Sequence, residues 1–565
     1  MERAGYDLVC IGGGGAAVLA AVQAADAGKS VALVCKDYPG SGNTRLAVGM
    51  TACPGLLAGD SEECFSGDLL RSGEGINEPA AVKSFAAEAS PHVAALEELG
   101  LLFRRGPDGE ITSDLVEQIG GHSRARSIAN LGGGVSLGAY LKGALWRRGI
   151  TVYSSTAVLE LAVIDNRVRG LLALDLRTGQ FTGMACETVL LATGGCSALY
   201  YPHTTNSRGA VGDGLTLALK AGAVLWDMEQ IQAIPFGLTH PRSMIGALCG
   251  EPATAGPAGR LLDGSGSMLI NGGINKMTRA AVTRIMMTAI ARGRTDSHGG
   301  LLLDLKPNLD LPGGEKIYSA VRKSGISDIV LTAYGRETYR WEKSWSVMPA
   351  FHYQMGGIKV NRAGETGIGG LLAAGEIRAG LHGGNRLGSV ALTEVYTSGI
   401  KAGQAAGRVK DQSHREITDR EELEKVLAAK LKDWEKRLNG RGSRSPARLR
   451  SEIESCMWAL AGPLREETKL LAALDELDRL SSESVNLRIT GAGKANRQIL
   501  DAVELHLMLP AARAVVLSAL ERRESRGAHL RADFPGRDDL NFRCHTSVRV
   551  TADDSLAGGL DPLES

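Results

Sequence analysis

Gly12-x-Gly14-x-x-Ala17 has the spacing with which a chain can cradle a pyrophosphate. The first glycine permits a tight turn, the second lets backbone N–H groups come close to phosphate oxygens, and a small third residue lets a helix pack tightly on a strand. The apolar run Asp7-Leu8-Val9-Cys10-Ile11 in front of it reads as a strand. The Ala-rich run 16–27 behind it reads as a helix whose free N–H groups face the anion. A second strand-to-turn passage of this kind is Leu371-Leu372-Ala373-Ala374-Gly375-Glu376, followed by Gly383-Gly384-Asn385-Arg386-Leu387-Gly388-Ser389. Two such turns, about 360 residues apart, suit an extended dinucleotide held at both ends. FAD is a ligand of that shape. Glu376 reads either as a ligand-facing carboxylate or as a solvated turn residue. One position departs from the dinucleotide fingerprint: Cys35-Lys36 stands at the end of the second strand, where an acid for the ribose hydroxyls is expected.

The elements that must position these turns follow from local pattern. Gly28 stands where a left-handed cap would end the first helix, and the strand 30–35 follows. Residues 130–195 continue the same unit with a helix near 137–148 and strands at 151–153, 157–164, 168–175 and 188–193, Asn166 supplying a hairpin turn. Between 226 and 345 the β-α rhythm breaks and Gly, Pro and Met accumulate. From 411 the chain is charged with helical apolar spacing, and 526–565 is polar. The expected fold class is α/β: a Rossmann-type FAD-binding domain with an inserted α+β capping domain, followed by a C-terminal helical domain. The expected boundaries are 1–225 and 346–410 for the two parts of the FAD-binding domain, 226–345 for the cap, 411–525 for the helical domain, and 526–565 for a tail that wraps the surface.

Composition narrows the function classes. The 565 residues carry a formal net charge of +1 with no long block of like charge, which leaves nucleic-acid binding without an electrostatic footprint. Gly, at 73 residues, is about twice its usual ~7% and falls in clusters, which suits a backbone that closely approaches a large ligand. The nine cysteines show no C-x-x-C and no metal-ligand spacing, so no metal site is expected within the chain. No leader pattern precedes the first strand and no run reaches about 18 apolar residues, so a cytoplasmic protein without direct membrane insertion is expected.

Several ordered motifs resemble the FAD-dependent flavoproteins of fumarate reductase, succinate dehydrogenase and L-aspartate oxidase. They are Ile11-Gly12-Gly13-Gly14-Gly15-Ala16-Ala17, Ala192-Thr193-Gly194-Gly195, Gly212-Asp213-Gly214, His352-Tyr353-Gln354-Met355-Gly356-Gly357 and His382-Gly383-Gly384-Asn385-Arg386-Leu387-Gly388. Glu524-Ser525-Arg526-Gly527-Ala528-His529, with Asp538-Asp539 further on, resembles their closing segment. The resemblance implies hydride transfer between a flavin and a carbon–carbon bond of a carboxylic acid. It implies cofactor contacts at Gly12, Gly14, Gly15, Ala16, Ala17, Lys36, Asn43, Thr44, Thr193, Gly194, Asp213, Glu376, Arg386 and Ser389. It also assigns catalysis to Arg279, His352 and Arg386: a guanidinium clamp for carboxylate, a substrate-binding imidazole and a proton-donating Arg.

The departures from the family pattern carry their own expectations. Asn43 occupies the position at which respiratory members bond FAD to a His, so noncovalent FAD is expected. In Gln232-Ala233-Ile234-Pro235-Phe236-Gly237, Ile234 stands at a His position, and the usual Glu–Arg relay has only Glu251 and Arg260 as candidates. These changes predict a less polar pocket and a modified substrate, larger or more apolar than fumarate. The chain carries no cluster ligands of its own, and the resemblance leaves two electron routes: an iron–sulfur protein subunit, through which the chain would lie peripherally at the inner face of a membrane, or direct exchange with O2 or a diffusible donor as in soluble members. Three other readings stand beside this one. They are an electron-transfer flavoprotein subunit with a degenerate substrate site, a soluble enzyme like L-aspartate oxidase, and an RNA-modifying flavoprotein, the last opposed by the balanced charge.

Overall fold

The computed structural model describes residues 2–112, 121–323, 325–409, 417–490 and 494–564. Its central sheet has the order Thr151–Tyr153, Val31–Val34, Glu2–Ile11, Phe181–Leu191, Arg167–Asp175, Thr156–Ile164. Phe181–Leu191 divides its outer edge. Its first half pairs antiparallel with Arg167–Asp175, and its last three residues pair parallel with Leu371–Ala373. The strands that end at Ile11, Val34, Leu191 and Ala373 therefore run parallel and finish on one edge. They are continuous apolar runs because helices cover both faces of a parallel sheet; Leu8–Ile11 and Val31–Val34 are buried throughout. The hairpin turns at Asp165 and Asn166, both with positive φ, the conformation a tight two-residue hairpin requires.

The cap is a six-stranded antiparallel sheet in the order Leu248–Gly250, Ile231–Leu238, Trp345–Gln354, Leu301–Asp304, Arg260–Leu262, Met268–Asn271. Its core is a separate cluster that includes Phe236, Leu238, Cys249, Leu303, Trp341 and Trp345. The boundary expected at 225/226 cuts the strand Leu225–Trp226, and the one at 345/346 cuts Trp345–Gln354, which carries His352 out of the cap toward the central sheet. The boundary at 410/411 lies outside the described residues.

Four long helices form the C-terminal unit: Ile417–Leu438, Pro446–Ala461, Glu467–Glu483 and Arg497–Glu521. Contrary to the expectation from apolar runs, Arg497–Glu521 is long and apolar enough to cross a bilayer by length and composition. Most of that window is buried against its neighbours, which is the environment of a core helix.

The tail does not simply wrap the surface. His545–Val550 and Leu556–Asp561 join Leu225–Trp226 and Gly357–Ile358 in a four-stranded sheet. Arg522, Glu524, Arg526, His529 and Arg531 are all buried. Arg522 reaches Asp227, Glu229 and Glu524, while Arg526 pairs with Glu524. Buried ion pairs account for Arg522, Glu524 and Arg526, whereas Arg537, Asp539 and Arg549 further on are exposed.

His545 sits inside this junction, with Nε2 2.9 Å from Glu78 and Nδ1 2.5 Å from Asp227. Both ring nitrogens face carboxylates, and only the imidazolium can donate from both. Burial opposes that charge, but Asp227 and Glu78 outweigh it and lift the imidazole to about 9. A group lifted on folding contributes stability that is complete below its unfolded value near 6.5 and is lost as pH rises through 9. Unfolding titrations from about pH 6.5 to beyond 9 should show a loss on the order of 3 kcal/mol. His545→Gln should remove that slope, and a flat wild-type profile would refute the assignment.

Candidate functional site

One long cleft of about 260 Å3 runs along the edge where the parallel strands end. Gly12, Gly13, Gly14, Gly15 and Ala16 line it just beyond the end of the first strand, Cys35 and Lys36 just beyond the second, Thr193 and Gly194 beyond Phe181–Leu191, and Gly375 and Glu376 beyond Leu371–Ala373. Asn43, Thr44, Asp213 and His352 complete the wall. Gly12 has φ +131°, and a Cβ there would lie 2.3 Å from the Ala192 carbonyl oxygen. At Gly13 a Cβ would meet the Tyr38 carbonyl oxygen at 2.8 Å. Gly14 caps the helix Gly15–Asp26 in extended geometry, and Gly15 N–H already donates to Thr44 Oγ1 at 3.0 Å. This bare turn against a helix N-terminus fits a pyrophosphate. Ala17 is fully buried and faces the packing rather than the cleft.

The missing acid at the second strand has a counterpart. Asp213, first residue of the helix Asp213–Lys220, brings its carboxylate to within 2.9 Å of Lys36 Nζ on the cleft wall. Ser389 does not itself line the cleft, although Ala391 and Leu392 just beyond it do; it holds a left-handed conformation ahead of the helix Val390–Arg408, and its buried hydroxyl has no partner among the described residues. Thr193 Oγ1 is likewise buried and unpartnered among the described residues. Strain and unspent polar capacity at these two points fit a bound polar ligand. Glu376 is not a solvated turn residue. It is buried, accepts from Gln354 N–H at 3.0 Å and Asn43 Nδ2 at 3.4 Å, and is pushed up to about 7, chiefly by burial. Asn43 also donates to Asn206 at 2.6 Å and accepts from Ser207 N–H at 3.0 Å, so its amide ties three loops together.

Where the cap meets this end of the cleft, cationic groups converge. Arg279 opens the helix Arg279–Ala291 and grips Glu251 with two hydrogen bonds, Nε at 2.8 Å and Nη2 at 3.0 Å. Its Nη1 reaches Gln232 Oε1 and the Arg386 carbonyl, both at 3.3 Å. Gln232 Nε2 donates to Asn385 Oδ1 and to the Arg386 carbonyl, both at 2.9 Å. The Arg386 side chain is buried, lies over the Tyr353 ring at 4.6 Å, and leaves Nε without a partner among the described residues. Burial and Arg279 bring it down to about 10, still a cation at neutral pH. His352 Nδ1 shares a 2.7 Å hydrogen bond with Thr205 Oγ1. Burial, reinforced by Arg386 and Arg279, holds the imidazole well below its ordinary value and so neutral.

All three residues expected to be catalytic thus meet in one place. Of the two relay candidates, Glu251 joins them. Arg260 lies in a cap strand that pairs with Asn271 and Asp304. Phe236 belongs to the cap core, so it does not line the pocket as expected; Leu248 supplies an apolar wall to the cleft. Sequence reasoning did not single out Gln232 or Tyr353, whose only signal was their place inside the motifs, or Thr205, which lies in none of them.

The model of the FAD binding domain matches residues 7–392, more than half of the chain, and that of the fumarate reductase flavoprotein C-terminus matches residues 450–558. The chain belongs to the fumarate reductase and succinate dehydrogenase flavoprotein family. It is accordingly an FAD-dependent oxidoreductase acting on CH–CH groups. It is 32% identical to a CoM/CoB fumarate reductase polypeptide of Methanothermobacter marburgensis over 94% of each chain. It is also 32% identical to the fumarate reductase flavoprotein subunit of Mycobacterium tuberculosis, covering 99% of this chain and 97% of that one. FrdA of the E. coli quinol fumarate reductase superposes with a TM-score of 0.88 at 28% identity, covering all of this chain and 98% of the other.

Proposed function

We propose that this protein binds FAD noncovalently and acts on the carbon–carbon bond of a carboxylic acid clamped by Arg386 beside His352, with the Arg279–Glu251 pair as the proton path. The convergence of these four side chains at one end of the glycine-lined cleft supports the reading. Gly12, Gly13 and Gly14 would take the pyrophosphate, Asp213 with Lys36 the ribose end, and Asn43, Glu376 and Ser389 the ring end. Bound FAD supplies the hydride exchange. Asn43 offers no imidazole for a covalent link, and its amide is already engaged by three partners. Glu251 neutralises Arg279, so Arg386 is the cation left to meet a carboxylate, while neutral His352 can donate or accept one hydrogen bond without adding charge. One free guanidinium and the Leu248 wall favour an unsaturated acid with one clamped carboxylate and a less polar remainder.

One experiment covers both parts. Acid precipitation of the purified yellow protein should release all flavin into the supernatant. Stopped-flow mixing of the reduced protein with a panel of enoic acids should show faster reoxidation by larger or monocarboxylic members than by fumarate. A yellow pellet would refute the noncovalent site, and fumarate as the fastest oxidant would refute the substrate assignment.

The electron partner in this reading is an iron–sulfur protein, which would hold the chain at the inner face of a membrane. Among the described residues, eight of the fifteen exposed large apolar side chains fall between Tyr38 and Trp146. Asn130 N–H bonds the Gly49 carbonyl, Gly134 N–H that of Ala47, and Leu131 N–H that of Leu102. These bonds stitch Leu46, Val48, Leu102, Leu131 and Val135, each at least 43% exposed, into one area. Leu46 also lines the cofactor cleft. A contiguous apolar patch of this kind marks a protein interface, and one on the cleft rim suits an electron carrier. The tagged chain should copurify with iron and acid-labile sulfide. Leu131→Asp/Val135→Asp should lose both while keeping FAD and dye-linked turnover, and unchanged iron in that variant would remove the patch from the interface.

A further inference from the structure

Lys36 closes the second strand of the dinucleotide fold, and its ammonium is fully used. It donates to the Gly209 carbonyl at 2.9 Å and to Glu504 Oε1 at 2.7 Å, and stands 2.9 Å from Asp213 Oδ2. An ammonium has three N–H groups, and these are three acceptors. Asp213 and Gly209 line the cofactor cleft; Glu504 does not. Glu504 sits on the helix Arg497–Glu521, in the C-terminal helical unit, 468 residues along the chain from Lys36.

The network continues away from the cleft and then returns to it. The second oxygen of Glu504 takes a hydrogen bond from Arg450 on Pro446–Ala461. Arg450 Nε donates to Glu454 at 2.9 Å, and its Nη2 donates to the Arg208 carbonyl at 2.6 Å. Arg208 in turn pairs with Glu454 at 3.1 Å. Arg208 immediately precedes Gly209, so the helical unit grips the same loop from two directions. Three cations, Lys36, Arg450 and Arg208, balance three carboxylates, Asp213, Glu504 and Glu454. Glu504 is buried, yet Lys36 and Arg450 hold it below the ordinary carboxylate range, so it stays ionised.

The charge balance explains why this arrangement is more than packing. Lys36 is shared between a carboxylate on the cleft wall and one outside it. Asp213 Oδ1 accepts from Gly214 N–H at 3.1 Å, so removing Glu504 would shift the ammonium and its charge toward Asp213 Oδ2 and the Gly209 carbonyl alone, moving both at the cleft wall. We propose that Glu504 is a positioning residue for the cofactor: through Lys36 it sets Asp213 and the Gly209 loop at the adenosine end, coupling FAD binding to docking of the helical unit. The inference rests on the FAD site and is independent of the substrate. Coupling is reciprocal: what docking does for FAD affinity, FAD does for docking.

The test uses the full chain stripped of FAD, with Glu504→Gln, Lys36→Met and the double variant. FAD affinity is read from quenching of flavin fluorescence on titration. Amide hydrogen exchange along 497–521 is read with and without FAD. Glu504→Gln should weaken FAD about tenfold when Lys36 is present and have no further effect beside Lys36→Met, the non-additivity expected of groups in one network. FAD should slow exchange in 497–521 in the wild type and lose that effect in each variant. Equal losses in both backgrounds, or an unchanged affinity with a lowered melting temperature, would reduce the network to a structural tie and overturn the proposal. If Glu504→Gln does not fold, Lys36→Met decides by itself: FAD-dependent protection of 497–521 that survives in it overturns the coupling.

Discussion

Arg386→Gln should lower kcat/KM between about a hundredfold and a thousandfold while the protein keeps its FAD, the range seen when one preorganised charge-stabilising donor is removed from a dry site. The side chain is buried against Tyr353; its Nη1 donates to the Leu387 carbonyl at 3.1 Å, while its Nε has no partner among the described residues and is left for a ligand. Arg279 and Gln232 hold residue 386 by its carbonyl oxygen, which the substitution leaves in place. Loss of fold is therefore not the expected route to loss of activity. Arg386→Lys should recover little, because a point charge cannot reproduce a planar fork at a carboxylate. Steady-state kinetics with the best acid of the panel, together with the flavin absorbance of the purified variant, check both halves. Unaltered turnover would favour an electron-transfer subunit with a degenerate site.

Gly12→Ala should leave the purified protein colourless, with FAD affinity reduced more than about a hundredfold. Two costs act at one point. A φ of +131° is a region essentially reserved for glycine, costing an L-residue about 1–3 kcal/mol. The new Cβ would also sit 2.3 Å from the Ala192 carbonyl oxygen and 2.8 Å from its carbon. Ala192 N–H is bonded to the Ile11 carbonyl, so neither strand can yield without breaking the sheet at its ligand-bearing edge. Gly28→Ala is the matched control. It too has positive φ, at +82°, but nothing lies within 4 Å of its added Cβ. It should cost about 1 kcal/mol of stability and retain the yellow colour. Comparable flavin loss in both variants would show that the cradle at Gly12 is not what binds the cofactor.

The contrast between these two glycines also separates what was legible from what was not. The turn at Gly12, the left-handed residue at Gly28 and the hairpin at Asp165-Asn166 were readable because backbone sterics act between neighbours. The buried parallel strands were readable because covering both faces of a sheet demands unbroken apolar runs. His352 and Arg386 were found because each sits inside a short motif whose order along the chain survives folding.

The rest was decided by contacts between distant segments. Glu251 meets Arg279 28 residues on, Gln232 meets Arg386 154 residues on, and Lys36 meets Glu504 468 residues on. No spacing rule reaches so far, since charges in sequence carry no record of which partner will neutralise them. The closing segment illustrates the same limit. Read as composition, its Arg, Asp and Glu residues look solvated. Folded, Arg522, Glu524 and Arg526 are buried with one another, because the tertiary structure supplies the opposite charges that make such burial tolerable. By itself, then, the sequence determined the phosphate cradle, the strands that carry it and the identity of the cofactor. The tertiary structure alone decided which charges cancel and which stay free, and the proposed carboxylate clamp rests on that, because electrostatic balance depends on distance through space and not along the chain.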